Sequence, residues 1–180
     1  MILIHIPKTA GQSFAYSSKA QTFGHKPICK IETDANQDVF TITRNPYDRA
    51  VSVHYFMRQL HKNPPFDTGK MYKDVNFYWQ RIYKNRHRLG KSIYHLPQFW
   101  FLCEGGCVSK RITSILKYET LEHDYNILSQ THNIGKLIKR NISRYRPATP
   151  WQDELTPESI AKIGELYAED FEHLNYERIS

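Results

Sequence analysis

Residues 4–13 read IHIPKTAGQS. The apolar run 2–6 stops at Pro7, which reads as a buried strand brought to an end. Lys8, Thr9, Ala10 and Gly11 make a short turn, and residues 12–20, with Gln12, Ser13 and Phe14 at their start, read as a short helix. A strand, a tight turn and a helix start leave outward-pointing backbone amides with partial positive charge. An anion, above all a phosphate, fits there. Gly11 allows close backbone approach, the hydroxyls of Thr9 and Ser13 offer hydrogen bonds, and Lys8 adds a compact full charge. The plain alternative is a strand-to-helix turn with a solvated lysine.

A second stretch argues against the plain alternative. Residues 38–43, DVFTIT, are rich in β-branched residues and read as another core strand. Arg44 leaves its end, and Asn45-Pro46 then reads as an N-cap with proline at the first helical position. A helix over roughly 46–61 follows, with Val51, Tyr55 and Phe56 inward. Arg49 and Ser52 lie three apart and share a helix face. An arginine fork with a hydroxyl suits a phosphate monoester, whereas the competing expectation pairs Arg44 and Arg49 with Asp48 or Asp38.

Further on, an extended piece is expected near 28–32, a loop over 62–70 and an aromatic, basic helix over 71–89. Extended or mixed segments are expected over 96–103 and 107–118, around a turn at Gly105-Gly106. Helix is expected over 120–139, and a last helix opens at Thr156-Pro157-Glu158 and runs to about 173. Strands alternating with helices predict an α/β domain with a mostly parallel sheet and helices on both faces, in one domain over 1–180. Ligands in such folds sit at the carboxyl ends of strands, where both anion stretches fall.

The first stretch is not a nucleoside-triphosphatase loop. That pattern, GxxxxGK[ST], sets its lysine directly before the hydroxyl residue, whereas Lys8 precedes Ser13 by five positions. Those enzymes also place an acid after a core strand to hold magnesium, and here the strand ends in Arg44. Two anion sites without a metal are expected.

Together the stretches resemble the PAPS-dependent sulfotransferases. HIPKTAGQSF is similar to the loop that binds the 5′-phosphosulfate, and RNPYDRAVS to the R-x-P-x-x-R-x-x-S segment that binds the 3′-phosphate. Lys117-Tyr-Glu-Thr-Leu121 resembles the family's "ryEnL" segment, and Leu166-Tyr-Ala-Glu-Asp-Phe-Glu-His-Leu-Asn-Tyr176 its closing helix. The pattern resembles the carbohydrate branch, heparan 2-O-sulfotransferases included. Ala10 and Gln12 depart from it, standing where glycine and threonine are common. The resemblance implies a P-loop-NTPase-like three-layer fold. It also implies transfer of a sulfuryl group from 3′-phosphoadenosine 5′-phosphosulfate (PAPS) to a hydroxyl or, as the lesser option, an amine. Pro7, Lys8, Thr9, Ala10, Gly11, Gln12, Ser13 and Phe14 would surround the 5′-phosphate, and Arg44 and Ser52 the 3′-phosphate. Lys8 and His25 would be catalytic, with His25, in the GHKP segment, as general base. His5 is expected in the core or beside the base, and His54 turned away from the donor. Glu32 and Glu119 stand next in line as bases, and Ser143 or Arg144 as late nucleotide contacts.

Composition agrees. A net charge of +7 and a pI near 9.3 favour anionic partners without choosing among them. No run of about 18 apolar residues exists, so no membrane partner is expected. The N-terminus lacks the marks of a signal peptide, and three cysteines are expected as reduced thiols, so a cytoplasmic setting is expected. The expected partner is an acceptor glycan or small hydroxyl compound, with no nucleic acid. Residues 79–91, WQRIYKNRHRLGK, join a tryptophan to five lysines and arginines. They read either as a sugar-stacking, polyanion-attracting surface or as an amphipathic helix with a solvated basic face. Rival readings are a phosphate-loop kinase-like protein, a non-catalytic nucleic-acid or polyanion-binding module, and a catalytically dead relative.

Overall fold

The computed structural model describes residues 1–61, 72–140 and 146–179. In chain order the first half holds β1 (Ile2–Ile4), α1 (Gly11–Ser18), β2 (Gln21–Thr22), β3 (Val39–Thr43), α2 (Pro46–Leu60) and α3 (Val75–Lys84). The second half holds α4 (Gln98–Leu102), β4 (Cys103–Glu104), β5 (Cys107–Val108), β6 (Ser114–Lys117), α5 (Leu121–His132), α6 (Trp151–Glu154), α7 (Pro157–Leu166) and α8 (Ala168–His173). The chain forms two compact units, Met1–Asn45 with Pro97–Ile142, and Pro46–Leu96 with Ser143–Ser180.

The first unit is built on a four-stranded sheet in the order β2-β1-β3-β6, parallel throughout. Parallel strands need covered faces, and the strand residues Ile2, Leu3, Ile4, Val39, Phe40, Thr41 and Ile42 are all buried on both sides of the pleat. One face carries Leu3, Phe40, Ile42 and Leu116, packed against Phe14 of α1 and Leu121 and Tyr125 of α5. Phe14 meets Tyr125 edge-on at 5.6 Å. Each such side chain contributes roughly 1.5–3 kcal/mol of burial. Helices flanking a mostly parallel central sheet are therefore present as expected. Because β1, β3 and β6 are neighbours running the same way, the segments after Ile4, Thr43 and Lys117 emerge side by side at one edge of the sheet.

The second unit is helical. Tyr47, Val51, Trp79, Ile163 and Tyr167 form its centre. Trp79 is fully buried, and its indole N–H donates to the Ala50 carbonyl at 3.1 Å. Trp79 is thus a core residue and not a platform for a sugar, and the amphipathic reading of 79–91 holds for it. α7 starts as expected, with the Thr156 hydroxyl accepting from the Ser159 amide.

Several expectations are corrected. The piece near 28–32 is a turn of 3₁₀ helix, Ile28–Lys30, held in part by Arg111, which donates to the carbonyls of Ile28 and Ile31 at 2.7 and 2.6 Å. Residues 98–102 are helical. The turn at Gly105-Gly106 closes the antiparallel hairpin β4–β5, with positive φ at both glycines as a two-residue hairpin requires. α5 stops at His132, where Asn133 takes the left-handed conformation. The closing helix is interrupted at Tyr167. The expected loop over 62–70 lies outside the described residues.

Candidate functional site

The loop after β1 bends in an uncommon way. Lys8 has φ +69° and Ala10 has φ +68° with ψ +16°, so two non-glycine residues adopt the left-handed conformation with one residue between them. Such residues are strained, and strain of this kind persists where function over-determines it. Changes of backbone hand along a turn bring successive amides to one side and make an anion-binding concavity. At the first helical positions, Gly11 and Gln12 have no earlier helical carbonyl to donate to. The amides of Ser13 and Phe14 do, both bonding the Ala10 carbonyl at 3.0 and 3.3 Å. The concavity therefore centres on the amides before Ser13.

The hydroxyls behave otherwise than expected. Thr9, buried, donates to the Ile6 carbonyl at 3.0 Å and so ties the loop to its own strand. Ser13 donates to the Arg140 carbonyl at 3.2 Å and accepts from the Arg140 amide at 2.9 Å. Each hydroxyl proton is already committed, so in this arrangement the loop presents backbone and the Lys8 charge rather than hydroxyl donors. Pro7 is buried, Gln12 is exposed, and the Phe14 ring is sealed in the core.

Gly11 serves a neighbour. A Cβ there would lie 2.2 Å from Cδ2 of His5, so only glycine lets the His5 ring pack on the start of α1. His5 in turn supports His25, with ring centroids 4.4 Å apart. The carbonyl of His5 lies 2.7 Å from His25 Nδ1. A carbonyl only accepts, so Nδ1–H donates and the lone pair of a neutral His25 is on Nε2. Burial, helped by the charge of His25, holds His5 down to about 4, so its ring stays neutral at ordinary pH.

Arg44 leaves β3 and turns to the same loop. Its Nη1 donates to the Lys8 carbonyl at 3.2 Å. Its guanidinium lies 3.8 Å from the centre of the Tyr118 ring, a close cation–π contact. Its backbone is clamped by Gln98, whose Oε1 accepts from the Arg44 amide at 2.9 Å and whose Nε2 donates to the Arg44 carbonyl at 2.7 Å. Glu119 Oε1 accepts from the Asn45 amide at 2.6 Å. Gln98 and Tyr118 had no assigned part in the site from the sequence, although Tyr118 belongs to the KYETL resemblance, where its ring gave the one available signal. Glu119, second in line as a base, is a backbone anchor.

Ser52 lies buried on α2 in the second unit. Arg49, in the same unit, is fully buried and donates to the Tyr94 carbonyl at 3.4 Å, with its guanidinium 5.6 Å from the Tyr167 ring. It is an internal brace rather than a phosphate fork. Asp48 pairs with Arg146, and Asp38 with His132 at 3.3 Å. His54 is buried and donates to the Tyr72 carbonyl at 3.1 Å. Glu32 is exposed. Ser143 and Arg144 lie outside the described residues. Cys29, Cys103 and Cys107 are free thiols. Among the described residues no group of three acidic, histidine or cysteine side chains is arranged to hold a metal ion, and no helix is long and apolar enough to cross a membrane.

Neither a curated protein nor a solved structure matches the chain. The model of the sulfotransferase family matches residues 1–177, through the phosphate-type loop, Arg44 and the closing helix alike. The chain belongs to the sulfotransferase family, whose members transfer sulfuryl groups.

Proposed function

We propose that the protein transfers a sulfuryl group from PAPS to a hydroxyl of a carbohydrate acceptor, with His25 as general base. The observation that carries this reading is the meeting of the Arg44 guanidinium with the backbone of the left-handed loop at Lys8, where neighbouring parallel strands end. A nucleotide with phosphates at both the 5′ and 3′ positions needs two anion sites, and ATP needs only one.

The backbone of the turn holds the 5′-phosphate, with Lys8 beside the oxygen that bridges phosphorus and sulfur. Arg44 holds the 3′-phosphate, and Ser52 enters this assignment on the sequence pattern alone. The acceptor oxygen attacks sulfur in line while its proton passes to His25 Nε2. The sulfur–oxygen bond to the phosphate breaks, and the charge gathering on the leaving oxygen falls to Lys8. Positioning and charge stabilisation supply the acceleration. The His5 carbonyl keeps the His25 proton on Nδ1, which leaves Nε2 as the basic atom.

Calorimetry with adenosine 3′,5′-bisphosphate (PAP) against ATP tests the donor, and transfer from labelled PAPS to glycans tests the reaction. Tighter binding of PAP than ATP is expected. Equal affinity for the two would remove the second anion site from the reading.

A further inference from the structure

One guanidinium in the first unit stitches the β4–β5 hairpin to the segment that follows His25. Arg111 lies just past the hairpin, and each of its three guanidinium nitrogens donates. Nε and Nη2 reach the two carboxylate oxygens of Glu104 on β4, at 3.1 and 2.8 Å, a two-pronged pair. Nη2 also donates to the Ile28 carbonyl at 2.7 Å. Nη1 donates to the Ile31 carbonyl at 2.6 Å and to the Thr33 hydroxyl at 3.4 Å. Glu104 is fixed in turn by the Ser109 hydroxyl, which donates to its Oε2 at 2.6 Å and accepts from the Arg111 amide at 3.3 Å. Ser109 is itself buried, and its amide donates to the Leu102 carbonyl at 2.8 Å. The ion pair is thus anchored on the hairpin side, and the remaining donors of the fork are spent on residues 28–33.

That segment begins three residues after His25. The chain enters His25 from β2, an exposed two-residue strand at the edge of the sheet, through Gly24 with φ +66°. This side gives the imidazole little support. The chain leaves through Lys26 and buried Pro27, whose ring holds φ at −70°, straight into Ile28, which is fully buried. The backbone of His25 is therefore placed from the Ile28 side, and its ring by Nδ1 on the His5 carbonyl. Lysine at 111 would keep the charge but lose the fork, so it could not span Glu104 and two carbonyls together.

We propose that Arg111, anchored by Glu104, is a positioning residue: it holds residues 28–33 so that His25 Nε2 stays aimed at the acceptor proton, and it touches neither substrate itself. A misplacement of about 1 Å in a reacting group costs on the order of a hundredfold in rate. The effect on turnover rests on the reading of His25 as general base, and the effect on where the His25 ring lies does not.

The test compares the full chain as wild type, Arg111→Gln, Arg111→Lys and the milder Glu104→Gln, which keeps one acceptor for Arg111. The ring nitrogen resonances of His25 are recorded by NMR without substrate. Turnover of labelled PAPS with a fixed glycan mixture and PAP affinity are measured alongside. Both Arg111 variants are expected to move the His25 resonances and lower turnover at least tenfold, with PAP affinity within threefold of wild type. Glu104→Gln is expected to move the resonances in the same direction by less, which keeps the test open if the Arg111 variants do not fold. In a His25→Ala background, Arg111→Gln is expected to cost no further turnover, because the group it places is gone. Unmoved His25 resonances, or the same further loss of turnover in the His25→Ala background, overturns the proposal. Absence of transfer by wild type, or a His25→Ala protein as active as wild type, counts against the reaction reading alone, because the resonances report placement with no substrate present.

Discussion

Arg44 Nη1 donates to the backbone carbonyl of Lys8 at 3.2 Å, so the residue that ends one strand grips the loop that ends its neighbour. This bond couples the two proposed anion sites: whatever moves Arg44 also releases the carbonyl of a left-handed lysine. Arg44→Ala is therefore expected to weaken PAP binding by more than one site's share. A hydrogen bond to a charged group contributes about 1.5–3 kcal/mol, so a loss of tenfold to a hundredfold or more is expected by calorimetry. Arg44→Lys recovers little of it, because an ammonium cannot stack on Tyr118 as a planar guanidinium does. Wild-type affinity in Arg44→Ala would remove Arg44 from the site.

His25→Ala separates binding from chemistry. His25 is bonded to the His5 carbonyl and its ring lies tilted against the His5 ring, and none of the Arg44 contacts described above involves it. Turnover with labelled PAPS should fall a hundredfold or more, in line with loss of a general base, while PAP affinity changes less than threefold. An equal fall in both would make His25 a binding residue.

Gly11→Ala sets a methyl group 2.2 Å from the His5 ring. Overpacking of this kind costs about 1–3 kcal/mol, and relief by moving His5 also displaces the carbonyl that fixes the His25 proton. Reduced turnover and a lower melting temperature are expected together. The double variant Gly11→Ala with His5→Ala should regain part of the stability and none of the turnover. Additive losses in the double variant would deny the contact.

Three histidines, His54 buried and His5 and His95 partly so, make the fold sensitive to acid. Burial in each case is the main force holding His5, His54 and His95 down to about 4. In the unfolded chain they titrate near 6.5. Folded pKa values below unfolded ones mean that the unfolded state binds more protons as pH falls. Stability is therefore complete above about 6.5 and drains away between 6.5 and 4, at about 1.4 kcal/mol per unit and per group as an upper bound. Urea unfolding should show a clearly lower midpoint at pH 5 than at pH 7. His54→Gln with His95→Gln should flatten that slope whatever it does to stability at pH 7, and an unchanged slope would assign the acid sensitivity elsewhere.

The sequence disclosed what local chemistry dictates. The apolar run 2–6 opens a strand, though it ends at Ile4, before Pro7; β-branched residues mark 39–43, and Asn45-Pro46 opens α2 where it begins, at Pro46. Placing both anion stretches at strand ends then followed from parallel topology. The loop's left-handed residues were hidden, because lysine and alanine carry no mark of positive φ as glycine does. The uses of Thr9 and Ser13 were hidden for another reason. A hydroxyl's identity says what it can bond, while the partner, Arg140 in the case of Ser13, lies 127 positions away. Gln98 and Tyr118 act on Arg44 from 54 and 74 positions away, and no periodicity records such pairs.

Gln98 gives the sharpest test of how Arg44 is positioned. It is wholly buried, and its side-chain amide bonds both the N–H and the C=O of Arg44, as a neighbouring strand would. Gln98→Met preserves volume and chain shape and removes both bonds. It leaves a buried donor and a buried acceptor on the Arg44 backbone, at about 1–3 kcal/mol for each. The backbone then has reason to twist toward other partners, and the guanidinium on it leaves Tyr118 and the Lys8 carbonyl. A lower melting temperature is expected together with PAP affinity reduced at least tenfold, although Gln98 itself touches no ligand. Gln98→Glu keeps an acceptor for the Arg44 amide but loses the donor to its carbonyl, and introduces a buried charge. It should resemble Gln98→Met in PAP affinity. A Gln98→Met protein that melts early yet binds PAP as tightly as wild type would show that Arg44 is set by its own side-chain contacts, and that the clamp serves the fold alone.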